Sequence, residues 1–265
     1  MNYRHGYHAG NFADVPKHVA LIAILAHLKK KDAPFAVLDT HAGRGAYDLS
    51  GEEAQKTGEA TGGIGRLAAL GGDLPPALRQ YLECVGQRQA YPGSPLIAAR
   101  LMRPQDRLVA IEKHPEECAL LKTVLAPWRK AAVENADGYL RLPKLLPPPE
   151  RRGVVLIDPP FEAADEFERM GGVLRAASRR FATGIYLAWY PIKSQSAADA
   201  FVGEALTVGS PALTIEIAVD APEGRLSRAG LLVLNPPFGF AEEMGHVLVQ
   251  LEPVLAARTR LEIRA

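Results

Sequence analysis

The sequence predicts an α/β protein with a doubly wound, seven-stranded, mostly parallel sheet, a C-terminal antiparallel hairpin and a small helical insertion. Short runs rich in Val, Ile and Leu alternate with longer amphipathic stretches, a pattern typical of a parallel sheet covered on both faces. The last two runs are joined only by residues 221–229, APEGRLSRA. This connection is too short for a crossover helix and therefore predicts an antiparallel pair.

Each predicted strand is a β-branched or apolar run bounded by turn residues. In chain order the strands are residues 35–40, 107–113, 131–136, 153–158, 184–190, 212–220 and 230–237. Helices are predicted at residues 15–30, before the first strand, and at residues 115–128 and 167–181, between later strands.

Residues 49–106 depart from this alternation, because they hold glycine-rich stretches and two helical patterns, at residues 76–87 and 94–102. We predict that they form an inserted helical subdomain between the first and second strands. The whole chain, residues 1–265, is predicted to form a single domain. Residues 1–13 are predicted to form its mobile N-terminal tail.

Composition narrows the class of protein. The 265 residues are 48% hydrophobic and 23% charged, which is ordinary for a soluble globular protein. Neither a membrane span nor a signal peptide is expected, so we expect a cytoplasmic protein. Cys84 and Cys118 form no C-x-x-C pair, which argues against disulfides and thiolate zinc sites. The net charge of +1 argues against wrapping of a long duplex, so any nucleic-acid footprint should be compact.

Three strand ends carry candidate ligand-binding residues. The stretch LDTHAGRGAY places Gly43 and Gly45 in a tight turn that is either structural or brings the backbone close to a ligand. Glu112, at the end of the second strand, is either a solvated acid or a fork for two ribose hydroxyls. Asp137 and Gly138, after the third strand, form either an ordinary turn or a contact to an adenine amino group.

The tetrapeptide DPPF, which begins at Asp158 after the fourth strand, is more specific. Such an Asp/Asn-Pro-Pro-aromatic tetrapeptide should occur by chance on the order of 0.01 times in a chain of this length. The carboxylate of Asp158 and the carbonyl of Pro159 can each accept one N–H of an exocyclic adenine amine, while Phe161 offers a face to the base. A similar NPPF begins at Asn235, where we expect a structural role.

The N-terminal stretch YRHGYHAGNFADVPKHVAL indicates an anion site. Asp14 is predicted to cap the first helix, which places Lys17 and His18 in its first turn, where a ligand carboxylate is favoured. The spacing of His5, His8 and His18 matches no standard zinc pattern, so no metal is expected.

With these residues in view, the chain resembles a Rossmann-like class I S-adenosylmethionine-dependent methyltransferase, and more narrowly the bacterial RlmJ family, which methylates N6 of one adenine in 23S ribosomal RNA. The resemblance runs nearly end to end. Its most specific segments are YRHGYHAGNFADVPKH, LDTHAGRGAYDL and RRGVVLIDPPFE. One departure is Phe161, where the family often has Tyr.

The resemblance implies a role for each matching residue. S-adenosyl-L-methionine would be the cofactor, with its methionine part held by Lys17, His18, His41 and Ser94. Glu112 would bind the ribose. The glycine turn at Gly43 would contact the cofactor, and Asp137 and Gly138 would contact its adenine. Asp158 would be the catalytic residue and would also border the cofactor. The target adenine would be bound by Tyr3, Pro159 and Phe161. The expected partner is 23S ribosomal RNA, free or in an early assembly intermediate.

Three alternatives remain open at this point. The same tetrapeptide serves DNA adenine-N6 and cytosine-N4 methyltransferases. A protein-glutamine methyltransferase is disfavoured because the motif begins with Asp where Asn is expected. A non-catalytic nucleic-acid-binding protein that retains the fold is disfavoured because Gly43, Gly45, Glu112 and Asp158 are all present.

Overall fold

The structure, a computed structural model, describes residues 5–68, 70–86 and 90–264. The strands are β1 (Ala36–Asp39), β2 (Ala46–Tyr47), β3 (Tyr91–Pro92), β4 (Arg107–Glu112), β5 (Ala131–Asn135), β6 (Gly153–Ile157), β7 (Ile185–Pro191), β8 (Ala212–Val219), β9 (Arg228–Leu234) and β10 (Ala257–Arg264). The helices are α1 (Asp14–Lys29), α2 (Glu52–Thr57), α3 (Glu59–Gly62), α4 (Ile64–Leu67), α5 (Pro76–Gly86), α6 (Ser94–Leu101), α7 (Pro115–Leu125), α8 (Gly138–Leu145), α9 (Glu166–Arg180), α10 (Gln195–Leu206) and α11 (Phe240–Leu255).

Eight strands form one sheet in the order β10-β8-β9-β7-β6-β1-β4-β5. Strands β5, β4, β1, β6 and β7 are parallel, and β9, β8 and β10 continue the sheet in antiparallel pairs. Because β1 lies between β6 and β4, the strand order reverses there, and the carboxyl ends of these strands border one crevice. The predicted fold class and the predicted β8–β9 hairpin are confirmed.

The sheet separates two apolar clusters because successive strand residues face opposite sides. On β1, Val37 packs into the cluster that includes α1, α6, α7 and α11, while Leu38 packs into the cluster that includes α8, α9 and α10. Both side chains are 1% exposed. The parallel strands are therefore buried on both faces, as their nearly uninterrupted apolar sequences predict.

The strand count of the prediction was one too low. Strand β10 pairs with β8 along its whole length, from Ala257 opposite Val219 to Arg264 opposite Ala212. Its sequence, ARTRLEIR, alternates charged and apolar residues and lacks the continuous apolar run that marked the other strands. Helices α8, α10 and α11 were also not predicted from the sequence.

The segment between β1 and β4 holds β2, α2–α5, β3 and α6, and β2 pairs with β3 in a separate two-stranded sheet. Helix α6 packs against β1, β4 and α1, whereas α2 lies against the 3-10 turn His5–Tyr7. The insertion at 49–106 and the mobile tail at 1–13 stay predictions. In this structure residues 9–13 are buried.

Within these described ranges no helix combines the length and the apolar character that a membrane crossing requires. The same residues contain no group of three or more His, Cys, Asp or Glu side chains arranged to hold a metal ion.

Candidate active site

Two adjoining cavities lie at the carboxyl ends of the parallel strands. The inner cavity, of about 270 Å³, lies over the ends of β1, β4 and β6. The outer cavity, of about 470 Å³, extends from β6 and β7 towards the β8–β9 loop. Four residues line both of them: His5, Lys17, Asp158 and Pro160. Asp158 therefore stands at the boundary between the two spaces.

The inner cavity brings together every residue predicted to contact the cofactor. These are Lys17, His18, His41, Gly43, Ser94, Glu112, Asp137, Gly138 and Asp158. They come from six separate parts of the chain, which meet because parallel strands end at one edge of the sheet. Their individual roles stay predictions.

Phe161 lines the outer cavity, and its ring meets that of Trp189 edge to face, with centroids 5.9 Å apart. Pro159 is buried and is not among the residues that line either cavity, so the contact of its carbonyl with the target adenine stays a prediction. Tyr3 lies outside the described residues. Trp189, on β7, was not singled out in the sequence, because a tryptophan inside an apolar strand is equally typical of a core residue.

A buried charge network joins α1 to the DPPF segment. The ammonium nitrogen of Lys17 donates to Oδ1 of Asp14 at 2.6 Å and to Oδ2 of Asp158 at 2.5 Å. The side chains of Lys17 and Asp14 are each 3% exposed, and that of Asp158 is 15% exposed. Lys17 thus orients Asp158 and leaves Oδ1 of that carboxylate without a partner among the described residues.

The pKa values in this network follow from burial and charge. Burial alone would lower the pKa of Lys17, but the carboxylates of Asp14 and Asp158 more than compensate and hold it above its usual value. Burial alone would raise the pKa of Asp14, but Lys17 and His5 hold it well below its usual value. Lys17 therefore stays charged at neutral pH.

The predicted helix cap at Asp14 was wrong. Asp14 is the first residue of α1, and Oδ1 of Asn11 accepts the N–H groups of Ala13 and Asp14. The Asp14 carboxylate instead accepts the N–H of Gly10 and contacts Nε2 of His5. The N-cap residue of α1 is Ala13, and the Asp14 carboxylate also accepts from the buried ammonium group of Lys17.

Glu112 forms a fork at the end of β4. Its Oε2 accepts the N–H of Gly43 at 2.8 Å, and its Oε1 accepts the N–H of His114 at 2.6 Å. Burial raises the pKa of Glu112 despite these hydrogen bonds. Gly43 has φ of 60°, a left-handed conformation that favours glycine. Glu112 therefore both shapes the glycine turn and presents its carboxylate to the cavity.

His41 has a defined protonation state. The hydroxyl of Thr40 donates to the carbonyl of Leu156 at 3.0 Å, so it accepts from Nδ1 of His41 at 2.8 Å. Burial lowers the pKa of His41 to about 4 and that of His18 to about 3. At neutral pH His41 is thus uncharged, with its proton on Nδ1 and a lone pair on Nε2.

Asp137 caps α8 and accepts hydrogen bonds from two cationic side chains. Its Oδ1 accepts the N–H of Tyr139 and its Oδ2 accepts from Lys113 at 2.9 Å and from Arg169 at 3.3 Å. Gly138 passes so close to Thr40 that an added Cβ would lie 2.1 Å from its carbonyl oxygen. The acid that caps the helix also lines the inner cavity, and its contact with an adenine amino group stays a prediction.

Asp39 is a residue that the sequence analysis missed. It ends β1, is 1% exposed, and accepts a hydrogen bond from the hydroxyl of Ser94 at 2.7 Å. Its Oδ1 is buried as well, and burial raises the pKa of Asp39 to about 7. The available signal was its place at the end of the first strand, directly before the glycine turn.

Known proteins match this sequence over nearly the whole chain. The family model described as "Ribosomal RNA large subunit methyltransferase D, RlmJ" matches residues 32–262. A protein of Escherichia coli (strain K12) named "Ribosomal RNA large subunit methyltransferase J" is 41% identical over 264 residues, covering 96% of this chain and 94% of its own. The protein of the same name from Haemophilus influenzae is 39% identical over 265 residues, with the same coverage.

The fold has a solved counterpart. A crystal structure of a Legionella pneumophila protein superimposes with a TM-score of 0.91 at 34% identity, covering 97% of this chain and 99% of that one. The likeness therefore extends beyond the sheet to the insertion and the C-terminal strands.

Proposed function

Because the chain belongs to the RlmJ family of ribosomal RNA large subunit methyltransferases, we propose that it transfers a methyl group from S-adenosyl-L-methionine to N6 of one adenine in 23S ribosomal RNA. The observation that carries this proposal is the place of Asp158 between the two cavities. One space suits the methyl donor and the other suits the base. A reaction between two ligands requires such a shared boundary.

The donor set of the inner cavity suits S-adenosyl-L-methionine. Lys17 and the first turn of α1 offer positive charge to its carboxylate, and Nε2 of His41 offers a lone pair to its methionine part. Glu112 can accept its ribose hydroxyl protons, and Asp137 with Gly138 borders the space for its adenine. When bound, this cofactor supplies an electrophilic methyl group on a sulfonium.

The exocyclic amine of adenine is a poor nucleophile because its lone pair is delocalised into the ring. Oδ1 of Asp158 can accept one of its N–H groups, since Lys17 already occupies Oδ2. The carbonyl of Pro159 can accept the other. These two acceptors favour a pyramidal nitrogen whose lone pair is free to react, and the ionised carboxylate stabilises the positive charge that develops there.

Phe161 and Trp189 form the wall against which the base packs. Phe161 has φ of 50°, so the turn after the two prolines aims its ring into the outer cavity rather than along the strand. The loss of a tyrosine hydroxyl at this position leaves the stacking face intact.

We further infer that the substrate is free 23S RNA or an early assembly intermediate, and that the reaction takes place in the cytoplasm. RNA-modifying enzymes usually read unstacked bases in loops, and an unpaired adenine costs less to extrude than a paired one.

The test is mass spectrometry of nucleosides after incubation with the protein and S-adenosyl-L-methionine. The substrates are unmodified 23S RNA, assembled large subunits and duplex DNA at matched salt, and the control protein is Asp158→Ala. We expect N6-methyladenosine only with the unaltered protein, and most of it in free 23S RNA. Faster methylation of duplex DNA would favour the DNA methyltransferase alternative, and no methylation of any substrate would favour a non-catalytic binding protein.

A further inference from the structure

The outer cavity has opposite charge at its floor and at its mouth. Its floor holds one buried cation, Lys17, between two carboxylates, Asp14 and Asp158. Its mouth holds Lys193 and Arg225, which are both exposed. We propose that Lys193 and Arg225 bind a backbone phosphate of the RNA strand that carries the target adenine. This inference rests on the proposed function.

The arrangement matches the chemistry of a nucleotide. An adenine nucleotide carries its exocyclic amine, which seeks an acceptor, at one end and its phosphate at the other. An amine at Asp158 with the base against Phe161 and Trp189 leaves the sugar and phosphate towards the mouth. A floor with more cations than carboxylates would repel the nitrogen as it gains positive charge, and acids at the mouth would repel the phosphate.

Lys193 has a fixed backbone and an available ammonium group. It follows β7 directly, and its neighbour Ile192 is 5% exposed and donates its N–H to the carbonyl of Arg228 at 2.9 Å. Across the described ranges the Lys193 side chain forms neither an ion pair nor a hydrogen bond. A cation held at a cavity mouth without an acidic partner is suited to a ligand that supplies the negative charge.

Arg225 is placed at the cavity by the β8–β9 loop. One of its terminal nitrogens donates to the carbonyl of Thr57 at 2.6 Å, which ties the loop to the insertion. Arg225 interacts electrostatically with Glu59, whose carboxylate also contacts Nδ1 of His8 and accepts from the amide of Asn11, both at 3.1 Å. The rest of the guanidinium group can therefore contact a phosphate.

The proposal accounts for RNA binding by a chain with a net charge of +1. Phosphate contacts dominate the affinity of most nucleic-acid-binding proteins. Two cations at the mouth supply this attraction where the target nucleotide enters, so that the attraction does not require a broad basic face.

The experiment measures equilibrium binding of a labelled hairpin from 23S RNA between about 50 and 200 mM salt, a range over which phosphate contacts are strongly screened. Lys193→Ala and Arg225→Ala are compared with Lys122→Ala, which removes an exposed lysine of α7 that borders neither cavity. We expect Lys193→Ala to weaken binding by about 3- to 10-fold and to reduce the logarithmic salt slope by about 0.7. Arg225→Ala should behave similarly, and Lys122→Ala should match the unaltered protein.

Cofactor affinity should stay unchanged in Lys193→Ala, because this residue does not line the inner cavity. Arg225→Lys keeps the charge and should restore most of the salt slope, which separates loss of a phosphate contact from a loosened loop. Unchanged slopes in Lys193→Ala and Arg225→Ala, or an equal loss in Lys122→Ala, would overturn the inference. These binding results do not depend on turnover, so failure of the unaltered protein to methylate RNA would instead count against the proposed function.

Discussion

The ammonium nitrogen of Lys17 lies 2.5 Å from Oδ2 of Asp158, although 141 positions separate the two residues in the chain. The contact joins the first turn of α1 to the segment that follows β6. It leaves one carboxylate oxygen of Asp158 for a second ligand and keeps the cation from competing for that oxygen. The orientation of the reacting group is thus determined before any ligand binds.

Asp158→Ala should lower methylation by a factor of at least about 10²–10³, because a preorganised acceptor for the reacting amine is lost. Asn235→Ala should keep most activity. The Asn235 side chain donates to the carbonyls of Ala182 and Gly184, at 2.9 and 2.7 Å, and borders neither cavity. Its loss should instead lower the free energy of unfolding by about 1–3 kcal/mol. Measurements of turnover, urea unfolding and cofactor binding distinguish the two variants. The reverse pattern would place the reaction at the NPPF motif instead of the DPPF motif.

Glu112→Ala should weaken binding of S-adenosyl-L-methionine by about 1–3 kcal/mol, the usual scale for hydrogen bonds to a charged group. Part of the loss should come from the glycine turn, since Glu112 also holds the N–H of Gly43. Calorimetry of the unaltered protein, of Glu112→Ala and of Glu83→Ala, an exposed acid on α5, measures the effect. Equal affinity in a folded Glu112→Ala protein would contradict the assignment of this residue to the ribose.

Asp39→Asn should change how stability depends on pH. Burial raises the pKa of Asp39 to about 7, above the unfolded value of about 3.9. The folded protein therefore keeps a proton that the unfolded chain releases, and this stabilisation is fully present below about pH 4 and is lost as the pH rises through about 7. An asparagine does not titrate, so the stability of the variant relative to the unaltered protein should be higher at pH 8 than at pH 5.

Urea unfolding at both pH values tests this expectation, because contributions from His18 and His41 are common to both proteins and cancel. Asp73→Asn is the matched control, since the Asp73 side chain is fully exposed. The same stability difference at pH 5 and pH 8 would show that Asp39 is ionised throughout this range.

Tyr3→Ala should lower turnover and leave the thermal midpoint nearly unchanged. Tyr3 lies outside the described residues, and His5 and His8, which follow it in the sequence, line the outer cavity proposed for the base. Turnover and thermal unfolding of the variant are the two measurements. A large fall in the midpoint with turnover retained would make Tyr3 a core residue.

Most of the sheet could be predicted from the sequence, because buried parallel strands have apolar sequences bounded by turn residues. It also predicted which residues meet, since the carboxyl ends of successive parallel strands share one edge. Strand β10 was not predicted because none of its residues is fully buried, three of its eight residues are exposed, and its register depends on β8.

The chemistry of the site was less visible in the sequence. Asp14 accepts from the buried ammonium group of Lys17, whose second partner, Asp158, is distant in the chain. The contact between Arg225 and Thr57 likewise joins the β8–β9 loop to the end of α2, and no local sequence pattern indicates that these two segments meet. Local sequence patterns therefore identify candidate site residues, whereas charge pairing between distant residues determines how their side chains are oriented.

Strand β10 has a consequence for how separate molecules behave towards one another. It covers the edge of β8, a strand whose sequence, ALTIEIAV, is mostly buried, and it presents Arg258, Arg260 and Glu262 along the outside of the sheet. Unpaired edges of apolar strands are templates for intermolecular pairing, and charged edge strands prevent it. Loss of these 8 residues would leave the catalytic edge in place and yet turn the opposite end of the sheet into a nucleus for aggregation.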